Sequence, residues 1–489
     1  MVKTPKSIAI VGGGTAGYVA ALILKKRFPS LKIAVISSSK IGIIGVGEGS
    51  TEHWKSFLNF IEVDFKEVIR ECGSTCKSGI MFQDWADKPY LHSIQAEYNH
   101  RFGQYPFFYA RQISQGLDST EISSPLTWKN QVNRWFLDNL DQCPTNQFHF
   151  NTHLLNSWLT KKSKEFGIFV YDDEINDFDI NETGDITVLR GTKNKYDFDF
   201  YIDCTGFKRL LISKLGAKWI SFKKYLKMKS AVVFPTEDES NYNIWTVSKA
   251  MNNGWLFRIP TWGRYGNGYI YDSDYINADE AKAEVDKYFG RDIEIAKSIN
   301  FDPGCLDKVW INNCLAIGLS GSFVEPLEAS SIGTSIQQSF LLMYRIINYD
   351  NNVIDTYNKE CYNILENIRD FIVLHYIVKK NNSPFWKDIQ NLEIPDRLKS
   401  RLELWRHRLP SAEDFAGDSR YSLFTVDHYL MVMHGLGMFD ISSIKKEFDM
   451  SPPEVKIEAG NISKNNDLFR DTVTRITHKE YIRELRNVK

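Results

Sequence analysis

Short apolar runs punctuate the chain, and each predicts a buried strand. The first, Ile8-Ala9-Ile10-Val11, is followed by a mostly apolar helix over 18–28, which Pro29 stops, and by a second strand over 31–37. A loop and helix occupy 38–60, and more helix with a short strand occupies 62–85. After a helix over 152–166, residues 169–171 and 186–189 predict strands of a small antiparallel sheet, and 198–206 a buried strand ending in Thr205-Gly206. Residues 230–234, 254–260 and 268–271 alternate as antiparallel strands, the last two joined by a turn containing Gly266-Asn267-Gly268. A strand over 309–317 leads through a small-residue turn, Gly318 to Ser322, to a helix from about 332 to 347. Beyond Asp355 the pattern is helical, clearest over 358–376, 396–408 and 426–435, with a terminal helix over 466–487.

The turn after the first strand carries Gly12, Gly14 and Gly17 with Thr15 and Ala16 between the last two, a G-x-G-x-x-G match. Its physical logic is that of a dinucleotide-binding βαβ unit. Gly12 permits the turn, Gly14 lets the backbone approach a pyrophosphate, Gly17 lets helix and strand pack closely, and the helix N-terminus offers free N–H groups to the anion. The second strand departs from the usual pattern by ending in Ser37-Ser38-Ser39 where an Asp or Glu holds a ribose hydroxyl. Ser37 can still hydrogen-bond the ribose, and Glu48 in the loop Gly45-Val46-Gly47-Glu48-Gly49-Ser50 can supply a carboxylate. No arginine stands beside the serines to take a 2′-phosphate. Thr205-Gly206 suits the strand end that closes an adenosine site in flavoproteins with two dinucleotide folds. The later turn at Gly318 and Leu319, opening a helix, suits the place where such proteins set a helix N-terminus near the flavin ring.

These elements predict an α/β fold: a Rossmann-like domain assembled from 1–90, 150–227 and 308–350, an aromatic and helical insertion over 91–149, an inserted antiparallel sheet over 228–307, and a helical C-terminal region over 351–489. With 489 residues, 43% of them hydrophobic, the chain has ample material for buried cores. A net charge of -1, from 60 basic and 61 acidic residues, argues against nucleic acid or an anionic membrane as the main partner. Seven scattered cysteines show no metal-ligand spacing and fit a reduced cytoplasm; the start of the chain shows no signal-peptide core, and no run of 18 apolar residues occurs. Aromatics at 13% can line a pocket for a flat ligand, and the stretch 98–109 places His100 and Phe102 in an aromatic loop that suits either a lid over a ring-shaped ligand or an ordinary packed loop. On composition alone, Lys77, set amid apolar residues, reads first as a strand-edge lysine reaching water.

Several motifs together resemble the flavin-dependent halogenases of the tryptophan-halogenase type: Gly12-x-Gly14-x-x-Gly17, Gly45-Val46-Gly47-Glu48, Lys77-x-Gly79-x-x-Phe82, Thr205-Gly206, Gly254-Trp255-Leu256-Phe257-Arg258-Ile259-Pro260, Phe323-x-x-Pro326-Leu327-Glu328, Ile368 to Tyr376 and Ser383-Pro384-Phe385-Trp386. They occur in the family's order over roughly 7–440. The resemblance implies that reduced FAD, delivered by a separate flavin reductase, yields hypohalous acid with oxygen and a halide ion, and that this oxidant reaches an aromatic substrate through a tunnel. It places Lys77 at the oxidant, holding it by a hydrogen bond or as a haloamine. Glu328 then polarises the oxidant or accepts the substrate's proton. It puts halide at the backbone N–H groups of Ser330 and Ser331, and substrate between His100 and Phe102. No metal is implied, and a homodimer is left open. Three departures stand out: Phe257 replaces the second tryptophan of W-x-W-x-I-P, Ala329-Ser330-Ser331 replaces Ser-Thr-Gly, and the C-terminal tryptophan-recognition region has no clear counterpart. The expected activity is therefore halogenation of an electron-rich aromatic such as an indole or phenol, with chloride, bromide or iodide. An FAD-dependent aromatic hydroxylase is the alternative, and a flavin-binding redox sensor a third reading.

Overall fold

The computed structural model describes residues 2–42, 47–93, 105–117 and 129–487. Its first layer is a six-stranded sheet in the order Trp310–Ile311, Cys314–Ala316, Phe200–Asp203, Ser7–Val11, Lys32–Ser37 and Phe169–Asp172. All neighbours run parallel except the first two. Ile8, Ala9 and Ile10 are wholly inaccessible, as a parallel strand covered on both faces requires. The helix Thr15–Arg27 buries Tyr18 through Leu24 and packs against both Thr152–Glu165 and Ser330–Met343. The α/β, Rossmann-like fold expected from the sequence is the fold observed.

The second sheet has seven strands, in the order Lys297–Asn300, Ser230–Glu237, Arg264–Tyr271, Gly254–Thr261, Thr246–Ala250, Gly79–Gln83 and Tyr90–Ser93. It thus recruits two upstream strands to the hairpins of the 228–307 stretch, joining Thr246–Ala250 to Gly79–Gln83 in parallel. A third, three-stranded sheet is made of Glu48–Gly49, Gln147–Phe150 and Thr75–Lys77. It brings the loop after the second strand and the segment holding Lys77 onto one central strand.

Local expectations fail where pairing overrides pattern. Phe169–Asp172 joins the large sheet in parallel with Lys32–Ser37 rather than a small antiparallel one. The hairpin turn falls at Trp262-Gly263, since Thr261 pairs with Arg264, and Gly266-Asn267-Gly268 lies inside the strand. There the missing Cβ of Gly268 makes room for the ring of Phe257. The run 309–317 is a hairpin bent at Asn312, which adopts φ 52°. The expected terminal helix is three elements, Pro453–Thr472, Arg475–Thr477 and His478–Asn487, because Arg475–Thr477 pairs with Gln131–Asn133. The helix expected at 358–376 begins earlier, at Asn351, where Asp350 caps it by accepting from the Val353 N–H. No helix among the described residues is long and apolar enough to cross a membrane.

Candidate active site

The glycine turn opens into a cavity of ≈ 980 Å³. Gly12, Gly14, Thr15 and Ala16 line one end with Ser37 and Glu48, and Gly318, Leu319, Ser330 and Ser331 line the wall built by the later turn and helix. Gly17 stands behind the turn; a Cβ there would lie 2.2 Å from the Gly12 carbonyl oxygen, so it serves packing. Gly12 has φ 116°, and a Cβ on it would come within 2.1 Å of the Cys204 carbonyl oxygen.

These residues fit FAD. A Cβ on Gly14 would meet nothing within 4 Å, so the backbone there faces open space. The helix it caps has no side-chain cap and no acidic residue in its first turn, leaving its N–H groups to an anion. The hydroxyls of Thr152 and Ser330, both on the cavity wall, are buried without a hydrogen-bond partner. Burial pushes the Glu48 carboxyl up to about 7, a displacement that a ligand's hydroxyl groups would reverse. The carboxylates nearest the serine run escape a motif search because they come from the next strand: Ser37 pairs with Asp172, which accepts from the Ser39 N–H, and Asp172 and Asp173 line the same cavity.

Lys77 does not reach water. It is 1% exposed, and its Nζ donates to the Ser50 carbonyl oxygen at 2.8 Å. Burial pulls its ammonium down to about 8, against the opposing attraction of Glu328 and Glu52. Gly49 links this lysine to the cavity: a Cβ there would lie 3.3 Å from the Ala329 Cβ and 3.6 Å from Lys77 Nζ. Ala329 holds a left-handed turn at φ 52° between Pro326–Glu328 and Ser330–Met343. Ser330 and Ser331, the first residues of that helix, line the cavity, while Glu328 is buried and does not. His100 and Phe102 lie outside the described residues.

Around Glu328 the fold assembles groups that no local motif joins. His92 Nδ1 lies 2.9 Å from both carboxylate oxygens, and His375 Nε2 lies 2.8 Å from Oε1. Although burial pushes the Glu328 carboxyl up, His92 and His375 outweigh it and hold the group well below the usual carboxylate range. His92 Nε2 continues to His428 Nδ1 at 3.0 Å. One shell out, Glu325 Oε2 accepts from Trp255 Nε1 at 2.7 Å and from the Tyr376 hydroxyl. Burial pushes Glu325 up to about 7. Trp255 lines the cavity, so the tryptophan of the G-W-L-F-R-I-P run is fixed from behind by a buried carboxyl. The sequence carried one usable signal for His375 and Tyr376, their place at the end of the family-like run Ile368 to Tyr376; nothing local marks His92 or His428 as their neighbours.

Known proteins match the chain along nearly its whole length. The tryptophan halogenase family profile matches residues 7–447. The tryptophan 6-halogenase SttH of Streptomyces toxytricini is 30% identical over 453 residues, covering 84% of this chain and 86% of that protein. The tryptophan 7-halogenase RebH of Lentzea aerocolonigenes is 28% identical over 88% of this chain and 89% of its own. The crystal structure of a tryptophan halogenase from Shewanella frigidimarina superposes with a TM-score of 0.90 at 26% identity, over 99% of this chain and 98% of that one. With a cavity shaped for FAD and a match of this extent, the halogenase reading holds over the hydroxylase: the chain belongs to the tryptophan halogenase family and is a flavin-dependent halogenase.

Proposed function

We propose that the protein halogenates an electron-rich aromatic, an indole or a phenol, with hypohalous acid delivered to Lys77. Bound in the cavity, reduced FAD supplies that oxidant from oxygen and halide; a separate reductase in the same reducing, cytoplasmic compartment reduces the flavin. The glycine turn, Ser37 and Glu48 hold the nucleotide end, and Gly318 and Leu319 flank the ring end. The N–H groups of Ser330 and Ser331, free at a helix start, receive the halide. The Lys77 ammonium donates to the oxidant, and Glu328 serves the proton transfers that substitution requires.

One observation carries this reading: Gly49, on the cavity wall, adjoins both Ala329 and the buried lysine, since a Cβ at Gly49 would lie 3.3 Å from the Ala329 Cβ and 3.6 Å from Lys77 Nζ. Trp255 and Phe257 line the cavity wall, and their two aromatic rings keep a substrate ring from the flavin.

The test is mass spectrometry of an indole and phenol panel incubated with protein, FAD, a flavin reductase, NADH, oxygen, catalase, and chloride, bromide or iodide in separate tubes. Halogenated product that disappears in Lys77→Ala supports the reading and ranks the halides. Hydroxylated product, or none with any halide, sinks it.

A further inference from the structure

The hydrogen-bond directions around Glu328 determine where protons must sit. His375 Nδ1 lies 2.8 Å from the carbonyl oxygen of Phe371, and a carbonyl can only accept, so Nδ1 carries a hydrogen. In a neutral ring the other nitrogen, Nε2, is then a bare lone pair. Yet Nε2 faces Glu328 Oε1 at 2.8 Å, and an ionised carboxylate is also acceptor-only. Two lone pairs at this distance repel, and both groups are shielded from bulk solvent: Glu328 is 3% exposed, His375 0%, with the rings of Phe82 and Phe371 packed against the imidazole. One proton must lie between them. His92 completes the arrangement by donating from Nδ1 to the carboxylate, while its Nε2 lies 3.0 Å from His428 Nδ1.

We propose that Glu328 and His375 share one proton at rest, and that this proton makes the halogenation self-contained. The proposal rests on the halogenase reading above. As halogen passes from hypohalous acid to a ring carbon, the oxygen–halogen bond breaks with its electron pair left on oxygen. The shared proton, given through Glu328, converts the departing hydroxide to water. Loss of the proton from the halogenated carbon returns the C–H bonding pair to the aromatic ring, and that proton goes to Glu328 and restores the pair. Hypohalous acid and arene become haloarene and water, and no proton crosses the dry interior. Glu328 Oε2, which among the described residues accepts only from His92, keeps a lone pair for these transfers. His375 touches neither oxidant nor substrate; it is a positioning residue that stores the proton.

Two arms test this. In protein labelled with 15N-histidine, the shared proton appears as a far-downfield resonance tied to the His375 ring. It disappears in Glu328→Gln, whose amide N–H meets Nε2 without an extra proton. Its absence from the wild type overturns the proposal without reference to activity. In the kinetic arm, His375→Gln keeps a hydrogen bond to Glu328 but cannot store the proton. Its kcat falls roughly 100-fold, the scale of a lost proton-transfer partner, with KM and the rate of reduced-flavin oxidation unchanged. More hypohalous acid escapes to a chemical trap, and an isotope effect emerges with ring-deuterated substrate. Imidazole partly rescues His375→Ala. A His375→Gln enzyme with wild-type kcat and isotope effect refutes the shared proton. A wild type that halogenates nothing in the panel, with the resonance present, instead refutes the functional reading.

Discussion

The glycine cleft and the chamber around Glu328 are built on opposite principles. In the cleft, backbone shapes much of the surface: Gly12 bends where a Cβ would strike the Cys204 carbonyl oxygen, Gly14 bares its backbone, and a helix start offers N–H groups to an anion. In the chamber, side chains do everything. Lys77, His92, Glu328, His375 and His428 arrive from different elements, four of them are at most 3% exposed, and each is held by another's polar atoms or by a main-chain carbonyl. The contrast separates two tasks. A cofactor that enters and leaves needs an open, preformed cradle; a reactive oxidant needs a site from which water is excluded, where each charge acts at full strength.

The sharpest way to break that contrast is to empty the chamber and leave the cleft alone. Lys77→Ala is expected to reduce halogenation by roughly 10²–10⁴-fold, as for loss of a positioned donor, while reduced-flavin oxidation proceeds and FAD binds normally. Stopped-flow absorbance and product analysis on one preparation check both halves. Loss of flavin oxidation would mean that the two regions are not separable. Removing Glu328 divides by substitution. Glu328→Ala leaves His92 and His375 buried without their acceptor and is expected to cost stability by about 3–5 kcal/mol, read by urea denaturation. Glu328→Gln keeps both contacts, so it should unfold near the wild-type midpoint yet lose halogenation to a degree comparable with Lys77→Ala.

The same contrast explains what the sequence could reveal. The cleft was legible because its parts are consecutive: strand, Gly12 to Gly17 and helix lie within one short stretch, and the rule connecting them is steric. Lys77 and Glu328 were reachable through family motifs, but the bland reading of Lys77 as a surface-reaching residue failed. The strand Thr75–Lys77 pairs inward with Gln147–Phe150, which no periodicity in three residues can announce. His92, His375 and His428 were invisible as a set, since their hydrogen bonds span 47 to 336 positions of chain. Pairing partners likewise decided the misread elements. Phe169–Asp172 looks the same whether its neighbour runs parallel or antiparallel, and only the sheet it joins brings Asp172 beside Ser37.

On the cleft side the expected effects are smaller and of the opposite kind. Gly12→Ala forces a β-carbon into a backbone carbonyl at a left-handed φ, at a cost of about 1–3 kcal/mol. That should appear as weakened FAD binding by fluorescence titration, with substrate preference and halide ranking intact in whatever holoenzyme forms. Glu48→Gln is milder. Burial has pushed this carboxyl up to about 7 from 4.5, so the folded apoprotein binds more protons than the unfolded chain between those values, and its stability falls as pH rises through that window. The amide removes the fall. The Glu48→Gln apoprotein should therefore be more stable than wild type above pH 7, while FAD binds severalfold more weakly for want of one charged acceptor, about 1 kcal/mol. Equal FAD affinity would remove Glu48 from the cradle.

The gentlest probe is pH, and it gives the chamber a signature that the cleft cannot imitate. Burial sets the Lys77 ammonium at about 8 against its ordinary 10.5, so the folded protein releases this proton earlier than the unfolded chain does. Between about 8 and 10.5 the unfolded state binds more protons, and the contribution of Lys77 to stability therefore rises with pH: the cost of a buried charge vanishes as the charge does. Activity should move the other way. If the ammonium is the donor that holds the oxidant, halogenation is level below about 8 and declines above it, toward tenfold per pH unit, while flavin oxidation lacks that limb. Lys77→Met should abolish the rising stability limb relative to wild type. Lys77→Arg, charged throughout, should retain whatever halogenation its geometry permits beyond about pH 8. Opposed limbs of stability and turnover, both lost with one side chain, would mark a lysine whose function is to be charged where charge is costly; parallel limbs would assign the pH dependence to another group.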